Sequence, residues 1–237
     1  MGLLTATRRC HPMPDAAMRT GRGRHADRDV RARKPAGNRD VSRRRLAVVL
    51  LSAAALSCLA HAGWIHAKAM LAQVLLERAW NETLAEGGTH RPWPWADTWP
   101  VAKIHAPRLR QAQIVLAGDD GRALAFGPGW AQASGVPGRG GITVISGHRD
   151  THFAWLAQLQ AGDRLQLDGV HGTRSYAVTG TRVADSRHER IDVHSGDDRL
   201  LLVTCWPFDA VVPGGPLRYV VSAQPVDDAA AQALEPE

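Results

Sequence analysis

A mainly β domain, closed as a barrel or stacked as a sandwich and set behind a membrane-spanning helix, is the fold class this 237-residue sequence predicts. Three observations lead there. Residues 46–67 carry no charge and follow directly on Arg43-Arg44-Arg45. Beyond residue 100, seven or eight short β-prone runs are punctuated by Gly- and Pro-marked turns. Among those runs, Leu200-Leu201-Leu202-Val203 is short and apolar, as a strand covered on both faces should be. Pro207 cannot donate to a sheet ladder and ends that strand, so Cys205 is delivered to a turn at the end of a rigid element.

Taken in order, residues 1–42 are rich in Arg, Gly, Pro and Asp without apolar periodicity and are expected to be a basic, disordered tail. Val41 offers an alternative translation start, which leaves the preceding residues untranslated; the intact mass of the native protein tests this. Residues 1–45 hold twelve Arg and one Lys against four Asp, so the net charge of +6 belongs to the tail and the remainder is mildly acidic. That distribution argues against a nucleic-acid-binding domain, whose basic residues cluster on a folded face. Residues 43–67 are long enough to cross a bilayer core, which takes ~20 residues. The arginines hold the N-terminus in the cytoplasm and leave the C-terminal part outside. Ala60-His61-Ala62 also fits a signal-peptide cleavage site. An uncleaved anchor is preferred, because the helical pattern continues through Trp64 to Leu84, with Leu71, Leu75 and Leu76 on one side.

Residues 68–100 complete that helix and end in a linker whose Trp93, Trp95 and Trp99 are expected to pack on the first strand or at the membrane interface. The β domain is placed at 101–225. Its strands are read at Val101–His105, Gln113–Ala117, Ile142–Ser146, Arg164–Leu167, Tyr176–Thr181, Leu200–Thr204 and Leu217–Ala223. Gly127-Pro128-Gly129 and residues 137–141 read as loops, and Phe153–Leu159 as one or two helical turns. Residues 226–237 form an acidic tail.

Of three cysteines, Cys10 lies in the tail and Cys58 in the apolar segment, so Cys205 is alone in the part placed outside the cytoplasm. A solitary thiol in an oxidising compartment flags reactivity. A cysteine nucleophile needs a proton carrier near neutral pH, which His148 at the end of a strand can supply. Acyl transfer needs a cation or donors for the developing oxyanion, which Arg218 offers. With eleven His and many Arg in the chain, composition alone would not single these out.

Spacing does. Leu202, Thr204 and Cys205 at a strand end, with Arg218 on the next strand, resemble the Leu-x-Thr-Cys signature of the sortase family. Leu201 departs from the Thr that opens the usual motif. The stretches Gly147-His148-Arg149-Asp150-Thr151-His152-Phe153 and Thr204-Cys205-Trp206-Pro207-Phe208-Asp209 are similar to class GN, the Gram-negative, proteobacterial sortases. The resemblance covers roughly residues 90–225 and the N-terminal anchor. It implies a closed eight-stranded sortase-type β-barrel with short helices and a cysteine transpeptidase in the inner membrane. The protein would be single-pass, with its catalytic domain periplasmic. Cys205 would cleave an LPxTG-like sorting signal of a secreted protein and form a thioacyl intermediate. His148 would carry protons, Arg218 and Thr204 would bind substrate and the oxyanion, and an unspecified amine would be the acceptor. No cofactor, metal or nucleic acid is implied.

Other readings stand beside this one. Cys205 could be a buried core thiol, since cysteine is often buried. His148 and His152 with Cys205 invite a zinc reading, but no motif positions a fourth ligand. Arg149 rivals Arg218 for the oxyanion, and Asp150 or Asp209 could orient His148. A non-catalytic anchored β-domain and a purely hydrolytic cysteine peptidase are the alternative functions. Because Cys205 ends a strand, no helix N-terminus stabilises its thiolate, and that task rests on His148 and Arg218. A small active fraction and slow turnover at neutral pH are therefore expected; iodoacetamide labelling of Cys205 already complete at low pH would contradict this.

Overall fold

A computed structural model describes residues 37–212 and 214–226; the expected tail segments 1–36 and 227–237 lie outside the described residues. Helix α1 spans Gly37–Glu86, so the anchor and the helix read after it are continuous, and the helix begins six residues before Arg43. By length and composition, Val41–Glu86 can cross a membrane. Two compact units divide after Ala54, and all that follows belongs to the second. There the last turns of α1 become amphipathic. Leu76, Ala79, Trp80 and Thr83 are buried, at the spacing of 3–4 residues that aligns side chains on one helix face. Leu71, expected on that stripe, is 57% exposed; the packed stripe starts only at Leu76, where Ile114, Leu116 and Ala123 meet the helix. Gly87, in the left-handed region at φ 73°, ends the helix with its N–H on the Thr83 carbonyl.

Eight strands follow: β1 (Pro100–Ala106), β2 (Gln111–Ala117), β3 (Gly129–Trp130), β4 (Ile142–Ser146), β5 (Arg164–Gly169), β6 (Gly172–Asp185), β7 (Arg199–Cys205) and β8 (Leu217–Val226). They close into a barrel in the order β1-β2-β3-β4-β7-β8-β6-β5. Seven lie where the short β-prone and apolar runs place them. β3 begins within Gly127-Pro128-Gly129, expected to be a loop, because two residues cannot display a period. Its Gly129 is required by close approach: a Cβ there would meet the Gly118 carbonyl oxygen at 2.2 Å. β6 extends well past Tyr176–Thr181, since much of its outer half is exposed and lacks an apolar signature. Trp93 packs edge-on to Phe126 at 5.0 Å, whereas Trp95 is exposed.

Inward-facing Ile104, Val115, Ile145, Leu165, Leu167, Tyr176, Leu200, Leu202 and Val221 fill the barrel with Phe153 and Leu156 from the β4–β5 connection. The 3-10 helix Ala154–Gln158 carries that connection. A second layer lies outside the barrel wall, where Ile142, Val144, Leu201 and Val220 are covered by Ile191 and Val193 of the β6–β7 loop. Leu200–Leu202 are thus covered on both faces, as their unbroken apolar run requires.

Leu202→Ala should cost about 2–5 kcal/mol, the range for emptying a buried leucine site, read as a lower urea midpoint. Stability should also fall on acidification. Arg108 holds the Asp163 carboxyl below its ordinary value near 3.8, and Arg187 does the same to Asp185. These depressed groups contribute their full stabilisation above the ordinary value, begin to lose it below that value, and lose it entirely only as pH falls through their lower folded values. Burial lowers the pKa of His152 from 6.5, which adds a loss beginning higher, as pH falls below 6.5. A melting temperature unchanged between pH 7 and pH 3 would contradict this.

Candidate active site

β4 and β7 run parallel, with Ser146 opposite Val203. The ladder continues one residue past β4: the Gly147 N–H donates to the Val203 carbonyl at 3.0 Å. Thr204, 2% exposed, donates its hydroxyl to the Gly147 carbonyl at 2.7 Å. Both backbone groups of Gly147 are therefore held by β7, and His148 emerges beside the end of that strand. No larger residue fits at 147, because a Cβ there would lie 2.7 Å from the Phe153 ring.

Side chains alternate along β7. Leu200 and Leu202 point into the barrel, and Leu201 and Val203 point outward, so Cys205 belongs to the outer face. On β8, Val220 faces outward and Tyr219 packs against the barrel core, which puts Arg218 on the outer face too. Cys205 and Arg218 are direct cross-strand partners. The Trp206 N–H donates to the Leu217 carbonyl at 3.0 Å. The neighbouring Cys205–Arg218 pair is then of the non-hydrogen-bonded kind, in which side chains approach more closely. His148 and Cys205 share a cavity of about 130 Å3 with Trp206, Pro207, Val212 and Gly215. Arg218 does not line this cavity; its Nη1 donates to the carbonyl of Gly215, which does, at 2.7 Å, and to that of Leu217 at 3.0 Å. Its Nε and Nη2 donors have no protein partner among the described residues.

All four residues singled out from sequence thus lie at one strand end. The hydroxyl of Thr204, expected to bind substrate, is buried and donates to the Gly147 carbonyl.

Two further features have partners that the sequence does not indicate. Arg149, expected as a rival oxyanion donor, is 6% exposed and is spent on other bonds. Its guanidinium forks onto Asp150 at 2.8 and 3.2 Å and donates to the carbonyls of Pro207 at 2.5 Å and Ala210 at 2.9 Å. It clamps the loop after Cys205 to the loop after β4. The bond that Arg149 donates to Asp150 chiefly raises the Arg149 pKa, with Cys205 and Asp209 adding attraction; a fixed positive charge thus lines the same cavity as the cysteine. Asp150 is engaged by Arg149, which holds its carboxyl below the ordinary range. The second feature is an aromatic trio. Trp206 stacks on Tyr219 at 5.5 Å, and Phe208 meets Tyr219 edge-on at 5.1 Å. These rings, brought together only by the β7–β8 pairing, brace the turn immediately after Cys205.

The closed eight-stranded barrel is the fold that the sortase resemblance of the sequence implies. A family model of the sortase domain matches residues 104–226, and the chain belongs to that family. Sortase D of Bacillus subtilis (strain 168) is 31% identical over 119 residues, which are 50% of this chain and 60% of that protein. The chain thus spans less than two thirds of the curated relative it matches. A Clostridium perfringens structure described as a Sortase D5 transpeptidase aligns over 67% of this chain and 99% of its own, at 18% identity and a TM-score of 0.52, a likeness of fold. Sortase A from Corynebacterium diphtheriae, in a lid mutant, aligns over 56% and 73% at 24% identity and a TM-score of 0.49.

Thr204→Val should lose a buried hydrogen bond, worth about 0.5–1.5 kcal/mol net, and leave the Gly147 carbonyl unpaired. Peptide turnover should fall more than that stability change alone would lower it. Gly147→Ala should abolish turnover while the far-ultraviolet spectrum keeps its β signature; an active Gly147→Ala enzyme would show that His148 needs no such placement.

Proposed function

We propose that this protein is a membrane-anchored cysteine transpeptidase of the class GN type, acting on a secreted protein that carries a C-terminal LPxTG-like sorting signal. The single observation that carries the reading is the register that sets Cys205 opposite Arg218 while the parallel β4–β7 ladder brings His148 into the same cavity. In the first half-reaction the Cys205 thiolate attacks the carbonyl carbon of the Thr–Gly bond. The C–N bond breaks, and His148 gives its proton to the departing amine. Arg218 carries guanidinium donors free to meet the oxyanion and substrate carbonyls, and Thr204 supports the site through Gly147. In the second half-reaction an acceptor amine, losing its proton to His148, attacks the thioester. The C–S bond breaks and the thiolate returns.

The class GN assignment is supported by the residues of 147–153 and 204–209, and the anchor by the charge-free run after Arg43-Arg44-Arg45. The same charge asymmetry favours a cytoplasmic N-terminus and a barrel outside the inner membrane.

Incubation with a sorting-signal peptide tests the reading. Cys205→Ala should abolish cleavage, and a mutant that still processes the peptide would remove Cys205 from the mechanism. With the wild-type protein, an added amine should appear covalently joined to the Thr carbonyl. Free carboxylate as the sole product at every amine concentration would make the protein a hydrolytic peptidase instead.

A further inference from the structure

The apolar surface of helix α1 does not end where the charge-free run ends. Past Lys68, Met70 and Val74 remain 66% and 64% exposed, and charged residues resume only at Glu77 and Arg78. Trp64 and Lys68, paired at 5.7 Å, are the amphipathic types that mark a membrane–water interface. From Lys68 to Gln73 the helix rises about 7.5 Å at ~1.5 Å per residue, about the depth of one headgroup layer. Gln73 Nε2 donates to the Phe126 carbonyl at 2.8 Å, so the Ala125–Phe126 turn stands level with Gln73. The barrel rim here reaches down to the layer in which the helix leaves the bilayer.

At that height α1 and the barrel enclose a cavity of about 830 Å3 bounded by Ile65, Lys68, Met70, Gln73, Phe126 and His152. Ile65, Met70 and Phe126 make an apolar wall. Lys68 supplies one positive charge, and His152 an imidazole ring that also meets the Ala125 backbone. Gln113, also at the wall, has a buried side-chain oxygen with no hydrogen-bond partner. One lysine balances one phosphate, and an unpaired amide oxygen accepts from a headgroup ammonium or a glycerol hydroxyl.

We infer that a phospholipid of the leaflet from which α1 emerges occupies this cavity, with its phosphate between Lys68 and His152 and the start of its acyl chains against Ile65, Met70 and Phe126. The inference rests on the anchored reading above. His152 lies four positions after His148, so the occupied cavity would seat the His148 loop at the membrane surface and present the site to substrates held in the same leaflet.

The test uses the full chain in vesicles of phosphatidylethanolamine and phosphatidylglycerol, with Phe126 replaced by the photo-crosslinking residue benzoylphenylalanine. Irradiation should give a phospholipid adduct by mass spectrometry, several-fold above that from the same replacement at Val170, which follows Gly169 at the far end of β5. Lys68→Glu should reduce the Phe126 adduct several-fold while the protein still floats with the vesicles. Flotation with no adduct at Phe126, or with equal adducts at Phe126 and Val170, would overturn the lipid site and leave the anchor standing. A protein that does not float with the vesicles would overturn both.

Discussion

Everything in the candidate site hangs on the parallel pairing of β4 with β7. Parallel strands cannot be joined by a tight turn and need a long crossover, and here the crossover contains β5, β6 and the loop that roofs the outer face of β7. The loop-closure entropy of that connection opposes the pairing, and the burial of Ile142, Ile145, Leu200 and Leu202 offsets it. Once formed, the ladder has one register, because a slip by one residue would turn Leu200 and Leu202 out of the barrel. That same register sets Gly147 against Val203 and thereby fixes where His148 leaves β4.

The residues around the thiol divide into those that can meet a substrate and those that hold the geometry. His148 is exposed and Cys205 half-buried, at the mouth of a small cavity. Behind them, Thr204, Gly147 and Arg149 are buried and bonded to backbone on two different loops. Arg149 differs chemically from Arg218. Four hydrogen bonds, two of them to a carboxylate, fix the first. Arg218 uses one nitrogen on its own turn and keeps other donors in reserve. A planar guanidinium with its fork satisfied works as a strut, and one with free donors can work as a ligand. The division places rigidity at the loop bases and leaves reach at the cavity rim. The exposed Val211 and Val212 at the tip of the β7–β8 loop extend the same division, being apolar and unsupported where a peptide would approach.

Legibility from the sequence followed the strength of the local period. Leu200–Val203 and Ile142–Ser146 were readable because burial on both faces leaves an unbroken apolar run. Pro207 marked a strand end for a backbone reason that needs no neighbours. β3 was unreadable, since two residues carry no period, and the outer half of β6 was obscured because its exposed positions are polar. The stripe on α1 was misplaced by a turn at Leu71, because a helix apolar all round does not reveal which face meets the barrel. In the site, Cys205, His148 and Arg218 could be picked out by motif spacing. Arg149, Trp206 and Phe208 lie within the same motifs, but what they bond or stack on could not be read, since their partners come from elements far apart in the chain.

The sequence by itself determined which residues are apolar on both sides, where strands must stop, and where a bilayer-length run without charge lies, all consequences of side-chain chemistry over a few neighbouring positions. Only the tertiary structure decided that Cys205 faces Arg218, that Thr204 turns inward to hold Gly147, and that Arg149 is a clamp. Register and side-chain direction are properties of paired strands: they depend on which residue lies across the ladder, and a single strand read alone does not contain that information.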